Sequence, residues 1–225
     1  MKSFKIIPTK RWYINPSTKA RELGVFVRQN IDAFYHDDYH GGNAERRIAL
    51  GSVENIITTL KNQFLDKSVE ELEAAGNSML QILISDLPEI LFRTRKATMT
   101  VCVIPRSKAE STYSPHQLVF KLAVKTAVDN LNGLRDGTNY ILRHTNTRTT
   151  HLDKSGYGGD GDLPYPGITK NTCSISEKVR GEDVLLIDDL YTETVNIDED
   201  AIQALLDCGA KSVIFYSLGK TAKRI

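Results

Sequence analysis

Hydrophobic positions in the second half of the chain alternate between short continuous runs and helical spacing. Between the runs, apolar positions recur every three or four residues after Ser114 and again around Ile202 and Leu206, which predicts helices. Strands that alternate with helices are typical of βαβ units, so the sequence predicts an α/β fold with a mainly parallel sheet flanked by helices. The runs are too short for helices and predict buried strands at residues 99–104, 140–142, 184–187 and 213–216.

The first 94 residues show a different pattern. Apolar positions at helical spacing in residues 44–61 predict one amphipathic helix. Ser68 and Glu71 form a capping-box pattern ahead of a second apolar helix face. Residues 12–14 favour a short strand. We therefore expect residues 1–94 to form a mostly helical accessory region and residues 95–225 to form the α/β domain.

Composition narrows the classes of protein to consider. The chain is 40% hydrophobic and 25% charged, which is typical of a globular protein. A net charge of +1 gives no overall attraction to nucleic acid or to an anionic membrane. The three cysteines are widely spaced and predict neither a disulfide framework nor a cysteine-based zinc site. Because no long apolar run or apolar leader is present, we expect a cytoplasmic protein without membrane association.

Two adjacent carboxylates, Asp188 and Asp189, follow the aliphatic run at residues 184–187. Ligands of open α/β sheets bind at the carboxyl ends of the strands. A pair of aspartates there can hold a sugar diol, either directly or through a divalent cation with oxygen ligands. Asp188 and Asp189 are therefore candidate catalytic and metal-binding residues. The alternative is a turn at the end of a strand with solvated carboxylates.

Four segments resemble known proteins. Residues 184–192 resemble the ribose-phosphate signature of type I phosphoribosyltransferases: four aliphatic residues, Asp-Asp, one aliphatic residue, any residue, and then Thr-Thr-Gly-any-Thr. Three others are similar to the ComF-like, amidophosphoribosyltransferase-like branch of that family. They are Val-Ile-Pro-Arg-Ser-Lys at 103–108, Leu-Arg-His through Thr-Thr-His-Leu at 142–152, and Gly-Ala-Lys-Ser-Val at 209–213.

The resemblance implies a phosphoribosyltransferase-type sheet and transfer of a phosphoribosyl group from phosphoribosyl pyrophosphate, with Mg²⁺, to an amine or a nitrogenous base. It implies that Asp188 and Asp189 hold the ribose hydroxyls and the metal ion. Arg106, Ser107 and Lys108 would bind pyrophosphate, although Arg106 and Lys108 can also be ordinary loop charges. The remaining implied substrate contacts are Thr192, Glu193, Thr194 and Asn196 at the 5′-phosphate, and Arg143, Arg148 or Lys154 in a loop closing over the site.

The phosphate loop departs from the family pattern. Where the family has Thr, Gly, any residue and Thr, this chain has Glu193, Thr194, Val195 and Asn196. Glycine permits a positive φ and close approach of the backbone to phosphate, whereas Thr194 is β-branched. Glu193 adds a negative charge where the phosphate should bind, so we expect weaker phosphate binding. Asn196 and Glu199 predict a capping box for the next helix.

Three functions remain open at this point. The first is an active phosphoribosyltransferase, and the second is a catalytically degenerate regulator that binds a nucleotide or sugar phosphate. The third, suggested by the ComF-like resemblance, is an interaction protein in DNA uptake or defence. For any of them, we expect residues 1–94 to offer a surface for a protein partner or for a homodimer.

Three smaller features have plain alternatives. His36 and His40 have the spacing of metal ligands on a helix, but their neighbours favour a polar loop. The glycine-rich residues 156–161 follow no predicted strand and open no helix, which favours a flexible flap over a dinucleotide fingerprint. Tyr191 either stacks on a base or packs against the edge of the sheet.

Overall fold

The computed structural model describes residues 1–15, 18, 20–148 and 167–222. These residues form an α/β structure with one central sheet and two small hairpin-like sheets. The strands, in chain order, are β1 (Lys2–Ile6), β2 (Lys10–Ile14), β3 (Arg21–Val25), β4 (Ile31–Tyr39), β5 (Met99–Val103), β6 (Leu134–Asp136), β7 (Ile141–Arg143), β8 (Cys173–Ile175), β9 (Asp183–Tyr191) and β10 (Ser212–Thr221). The α-helices of the same residues are α1 (Ala44–Ile48), α2 (Val53–Lys61), α3 (Val69–Thr94), α4 (Val119–Asn130) and α5 (Ile197–Asp207).

The central sheet has six strands in the order β1-β4-β10-β9-β5-β6. Five of them run parallel, and β1 pairs antiparallel with β4 at one edge. Val103, the last residue of β5, lies opposite Ile187 of β9, and β9 continues beyond it to Tyr191. The prediction of a mainly parallel sheet is confirmed. The smaller sheets pair β2 with β3 and β7 with β8.

The sheet is buried on both faces because successive side chains of a strand point in opposite directions. Leu185 and Ile187 of β9 face a core formed with α2, α3 and α4. Val184 and Leu186 face a second core formed with α5. A strand covered on both sides needs a continuous apolar run, which is the pattern that predicted β9.

The N-terminal region is not mostly helical, so that prediction is wrong. Four strands precede the first helix, and β4 lies inside the central sheet between β1 and β10. The strand was missed because only its first half is apolar and buried, while the residues from Tyr35 onward are polar or half-exposed. His36 therefore lies in a strand and not in a polar loop. The predicted domain boundary near residue 94 stays a prediction. Strands from before and after this residue belong to the same central sheet.

The predicted helix starts are confirmed only in part. Ser68 and Glu71 form the predicted capping box at the start of α3. Residues 44–61 form two helices and not one, since Ser52 caps a separate helix α2. Asn196 precedes α5 in a left-handed conformation, with φ of 62°, and its side chain makes no capping bond. The predicted box of Asn196 with Glu199 is therefore wrong. Among the described residues, no helix combines the length and the apolar surface needed to cross a membrane.

Candidate ligand-binding site

A cavity of about 220 Å³ lies at the carboxyl ends of β5 and β9. Its wall comes from the end of β9, the loop after β5, the last turn of α2, strand β7 and the first turn of α5. Neighbouring parallel strands bring residues distant in sequence to the same edge of the sheet. Seven of the predicted site residues line this cavity: Arg106, Ser107, Lys108, Arg143, Asp188, Asp189 and Thr192.

Asp189 forms an ion pair with a residue that the sequence did not point to. Its Oδ2 lies 3.2 Å from Nζ of Lys61, the last residue of α2. Burial lowers the pKa of Lys61, but the negative charges of Asp189 and Asp188 outweigh it and raise that pKa. Both aspartates lie within β9, which continues to Tyr191, and not in the predicted turn. Lys61 is therefore a charged component of the cavity wall.

Asp188 shares its environment with a third carboxyl group, Asp198 of α5. Both side chains line the cavity, close enough to affect each other's ionisation, and Asp198 is buried. Burial and the charge of Asp189 raise the pKa of Asp188 to about 7. Burial and the charge of Asp188 raise the pKa of Asp198 as well. Two carboxyl groups this close cannot easily both ionise, so the pair retains one proton near neutral pH.

The raised pKa of Asp188 makes stability depend on pH. A carboxyl whose pKa rises on folding favours the folded state below its unfolded value of 3.8, and this contribution is lost as pH rises through about 7. We expect Asp188→Asn to raise the free energy of unfolding at pH 8 by on the order of 2 kcal/mol. This gain is smaller than the full pKa shift would give, because water in the cavity screens the carboxylate. The gain should vanish near pH 4. Urea unfolding from pH 4 to pH 8 measures it.

The matched control is Asp129→Asn, since Asp129 is an exposed carboxylate that pairs with Lys125 on α4. This variant should leave the pH profile of stability unchanged, because a surface pair contributes little. A gain for Asp188→Asn that is the same at pH 4 and pH 8 would contradict the proton-sharing pair.

Arg106 joins the loop after β5 to the end of α2. Its Nη2 donates to the carbonyl of Lys61, and its Nη1 donates to the carbonyl of Gln117, both at 2.7 Å. The guanidinium also stacks on the ring of Tyr113, 4.5 Å from the centroid. Carbonyl and aromatic partners satisfy the geometry of the cation but carry no net charge. Among the described residues no carboxylate pairs with Arg106, so it adds positive charge beside the cavity.

Arg143 holds the other side of the same loop. Its Nε donates to the carbonyl of Arg106 at 2.7 Å, and its Nη1 donates to the carbonyl of Gly167 at 2.9 Å. Burial lowers its pKa, although an arginine stays protonated in proteins. Lys108 Nζ donates to the carbonyl of Thr147 at 2.9 Å. In the part of the chain that the structure describes, neither Arg106 nor Arg143 pairs with a carboxylate.

The loop after β9 turns its side chains toward two different cavities. Thr192 lines the first cavity, and its hydroxyl bonds to that of Thr221 at 2.7 Å. Glu193 and Asn196 line a second cavity of about 260 Å³, where Glu193 pairs with Arg11 at 3.2 Å. The positive φ lies at Asn196 and not at Thr194. The carboxylate of Glu193 is thus paired with a cation and directed away from the first cavity.

No protein-family model matches the chain, and no curated protein matches it.

Two predicted contacts and part of the predicted loop are not in this cavity. Thr194 and Arg148 line neither of the two cavities. Lys154, the glycine-rich residues 156–161 and the end of the segment 142–152 lie outside the described residues. The roles proposed for these residues stay predictions.

The acids in the first turn of α5 have internal partners. Glu199 accepts a hydrogen bond of 2.8 Å from the hydroxyl of Tyr191, and Asp200 accepts one of 2.6 Å from the backbone N–H of Ile168. Tyr191 is buried between the rings of Phe4 and Phe215. Tyr191 therefore packs within the protein against other aromatic rings, which favours the packing alternative over stacking on a base. Acids in the first turn of a helix suit the helix dipole, so the position of Asp198 carried no signal for a site.

The implied Mg²⁺ ion requires free oxygen ligands. Among the described residues, no group of three or more His, Cys, Asp or Glu side chains is placed to hold a metal ion. Magnesium is often held by only one or two carboxylates together with ligand phosphates. Here Lys61 pairs with Asp189, and Asp188 adjoins the buried carboxyl of Asp198. In this arrangement the side chains do not fit a resident Mg²⁺ ion, and the metal site stays a prediction.

Proposed function

We propose that the cavity binds a phosphorylated ribose, as phosphoribosyl pyrophosphate or as a related nucleotide or sugar phosphate. One observation carries the proposal: neighbouring strands β5 and β9 deliver cations and paired carboxylates to the same cavity. Carboxylate oxygens accept hydrogen bonds from the hydroxyls of a sugar, while guanidinium and ammonium groups attract phosphate. A ligand that joins vicinal hydroxyls to phosphate groups matches both halves of the site.

The same arrangement supports phosphoribosyl transfer. Departure of pyrophosphate from C1 of the ribose moves negative charge onto the leaving group, and fixed cations stabilise that charge. Arg106, Lys108 and Arg143 are the candidate cations, and Asp188 and Asp189 are the candidate contacts of the ribose hydroxyls. The expected products are pyrophosphate and a phosphoribosylated amine or base.

A second candidate is a regulator that binds the same ligand without turnover. The hydrogen bonds of Arg106 and Arg143 described above go to backbone carbonyls, which leaves fewer donors for pyrophosphate. Thr194 also replaces the glycine of the family signature. With fewer free donors, the site attracts the ligand mainly through its overall positive charge. It then lacks the close contacts that would stabilise a departing pyrophosphate, which favours a regulator.

Calorimetric titration with phosphoribosyl pyrophosphate, ribose 5-phosphate and ribose tests the proposal. We expect the phosphorylated ligands to bind and ribose alone to bind far more weakly. Asp188→Asn combined with Asp189→Asn should weaken binding by at least about tenfold, since lost charge-assisted hydrogen bonds contribute about 1.5–3 kcal/mol each. A parallel assay of pyrophosphate release separates the transferase from the regulator.

The control is Asp207→Asn, which changes an exposed carboxylate on the last turn of α5 that pairs with Arg28. It should bind the ligands like the unaltered protein. Failure of every phosphorylated ribose to bind, or equal binding by the double variant, would exclude this function for the cavity.

A further inference from the structure

Lys61 lies beside the paired carboxylates Asp188 and Asp189, whose negative charges attract a cation. Its Nζ lies 3.2 Å from Asp189 Oδ2, and the exposed fractions of the two side chains are 26% and 21%. Both side chains line the cavity. An ion pair in this position is partly shielded from water, so it is stronger than one on the open surface.

The backbone that carries Lys61 is fixed from two sides. Asn62 ends α2 in a left-handed conformation with φ of 36°. Arg106 bonds to the carbonyl of Lys61, and Gln117 Nε2 donates to the carbonyl of Asn62 at 3.3 Å. The loop that supplies cations to the cavity therefore also positions the end of α2. This arrangement presents the ammonium group to Asp189 before any ligand binds.

An ammonium group shares part of the chemistry of a divalent cation. It is a compact charge with three donors, and it can contact a carboxylate and a phosphate oxygen at once. In the cavity, Asp189 takes one of these contacts. The remaining donors of Lys61 can reach a hydroxyl or a phosphate oxygen of a ligand.

We propose that Lys61 takes the place of a divalent cation in this cavity, so that the phosphorylated ribose binds without Mg²⁺. The inference rests on the proposed function, because it concerns the ligand of the same site. Lys61 balances the charge of Asp189, and Asp188, which shares a proton with Asp198, is the candidate contact of a ribose hydroxyl. A residue of the N-terminal region thus determines whether the site uses a metal ion.

The first experiment needs no ligand and uses Mn²⁺ as the probe. We expect the full chain to bind Mn²⁺ weakly in calorimetric titration, and Lys61→Gln to bind it at least about tenfold more tightly, because the carboxylates lose their competing cation. Lys61→Arg keeps the charge and should behave like the unaltered protein. Adding Asp188→Asn and Asp189→Asn to Lys61→Gln should abolish the gain.

The matched control is Lys96→Gln, which removes a lysine from an ion pair at the opposite end of β9. Lys96 Nζ lies 2.8 Å from Asp183, and the two side chains are buried to a similar degree as Lys61 and Asp189. This variant should not gain Mn²⁺ affinity. Tight Mn²⁺ binding by the unaltered chain, or no gain in Lys61→Gln, would overturn the inference.

The second experiment titrates ribose 5-phosphate and phosphoribosyl pyrophosphate in EDTA and in Mg²⁺. We expect affinities for the unaltered protein that agree within about twofold, and binding by Lys61→Gln that depends on Mg²⁺. Binding by the unaltered protein only in Mg²⁺ would overturn the role of Lys61 and leave the proposed function standing. Binding in neither condition would overturn both.

Discussion

Replacing Phe215 with alanine is expected to lower the free energy of unfolding by about 3–5 kcal/mol, because truncating a buried phenylalanine removes apolar contacts and leaves a cavity. Phe215 is fully buried in β10, opposite Ala33 of β4 and Leu186 of β9. Its ring packs edge-on against Tyr191, with centroids 5.6 Å apart. The truncation therefore loosens the middle of the sheet and the residue that precedes Thr192.

Urea unfolding at pH 7 measures the loss. The control is Phe92→Ala, because Phe92 lies on α3 with 80% of its surface exposed. Substitution at such a position usually changes stability by less than about 0.5 kcal/mol. A loss below about 1 kcal/mol for Phe215→Ala would contradict the described packing.

Replacing Arg46 with methionine is expected to lower stability at pH 7 by about 3 kcal/mol, since loss of one partner leaves a buried charge without compensation. The partner is Glu54 of α2, whose side chain has no exposed surface. Glu54 accepts hydrogen bonds from Arg46 Nε at 2.8 Å and from the backbone N–H of His40 at 2.6 Å. This contact joins the end of β4 to the helix that carries Lys61.

The pH dependence of unfolding separates this explanation from a loss of packing. Burial raises the pKa of Glu54, but the His40 N–H and Arg46 outweigh it, so the net pKa lies below 4.5. Stability from a lowered carboxyl pKa is present above the unfolded value and is lost as pH falls through the folded value. The deficit of Arg46→Met should therefore be largest at pH 7 and shrink as the pH falls through the lowered pKa of Glu54, where the carboxyl gains a proton.

Two further variants complete the comparison. Adding Glu54→Gln to Arg46→Met removes the stranded charge and should recover part of the loss. Arg28→Met breaks the exposed pair with Asp207 and should cost less than about 1 kcal/mol. A deficit of Arg46→Met that does not change between pH 7 and pH 4 would contradict a buried carboxylate at Glu54.

Strands β5, β9 and β10 were predictable because their central residues are buried on both faces of the sheet. The run 184–187 is fully buried, and such a strand must be apolar at every position. The same rule explains the errors. β4 has a half-exposed second half, and β9 extends through Asp188 and Asp189, where the cavity and not an apolar core receives the side chains. Polar ends of strands at a ligand site break the apolar pattern from which strands are predicted.

The carboxylates and the loop after β5 were predictable from local sequence, but their charged partners were not. Lys61 lies in a helix far from Asp189 in sequence, and only the sheet order brings them together. A lysine in the last turn of a helix is also expected from the helix dipole alone, so its pattern carried no signal for a site. Asp198 had the same ambiguity at the start of α5. The contacts of both residues arise from tertiary packing.

The sheet order also determines when the molecule can assemble. β10 is the last described strand in the chain, yet it lies between β4 and β9 and is the only strand of the described sheet that pairs with both. Before Ser212–Thr221 leaves the ribosome, the pair β1–β4 and the group β9–β5–β6 share no hydrogen-bonded edge. Contacts this distant in sequence slow folding. Until then, the nascent chain carries two open strand edges, each of which is a site for chaperones or for mispairing with another chain.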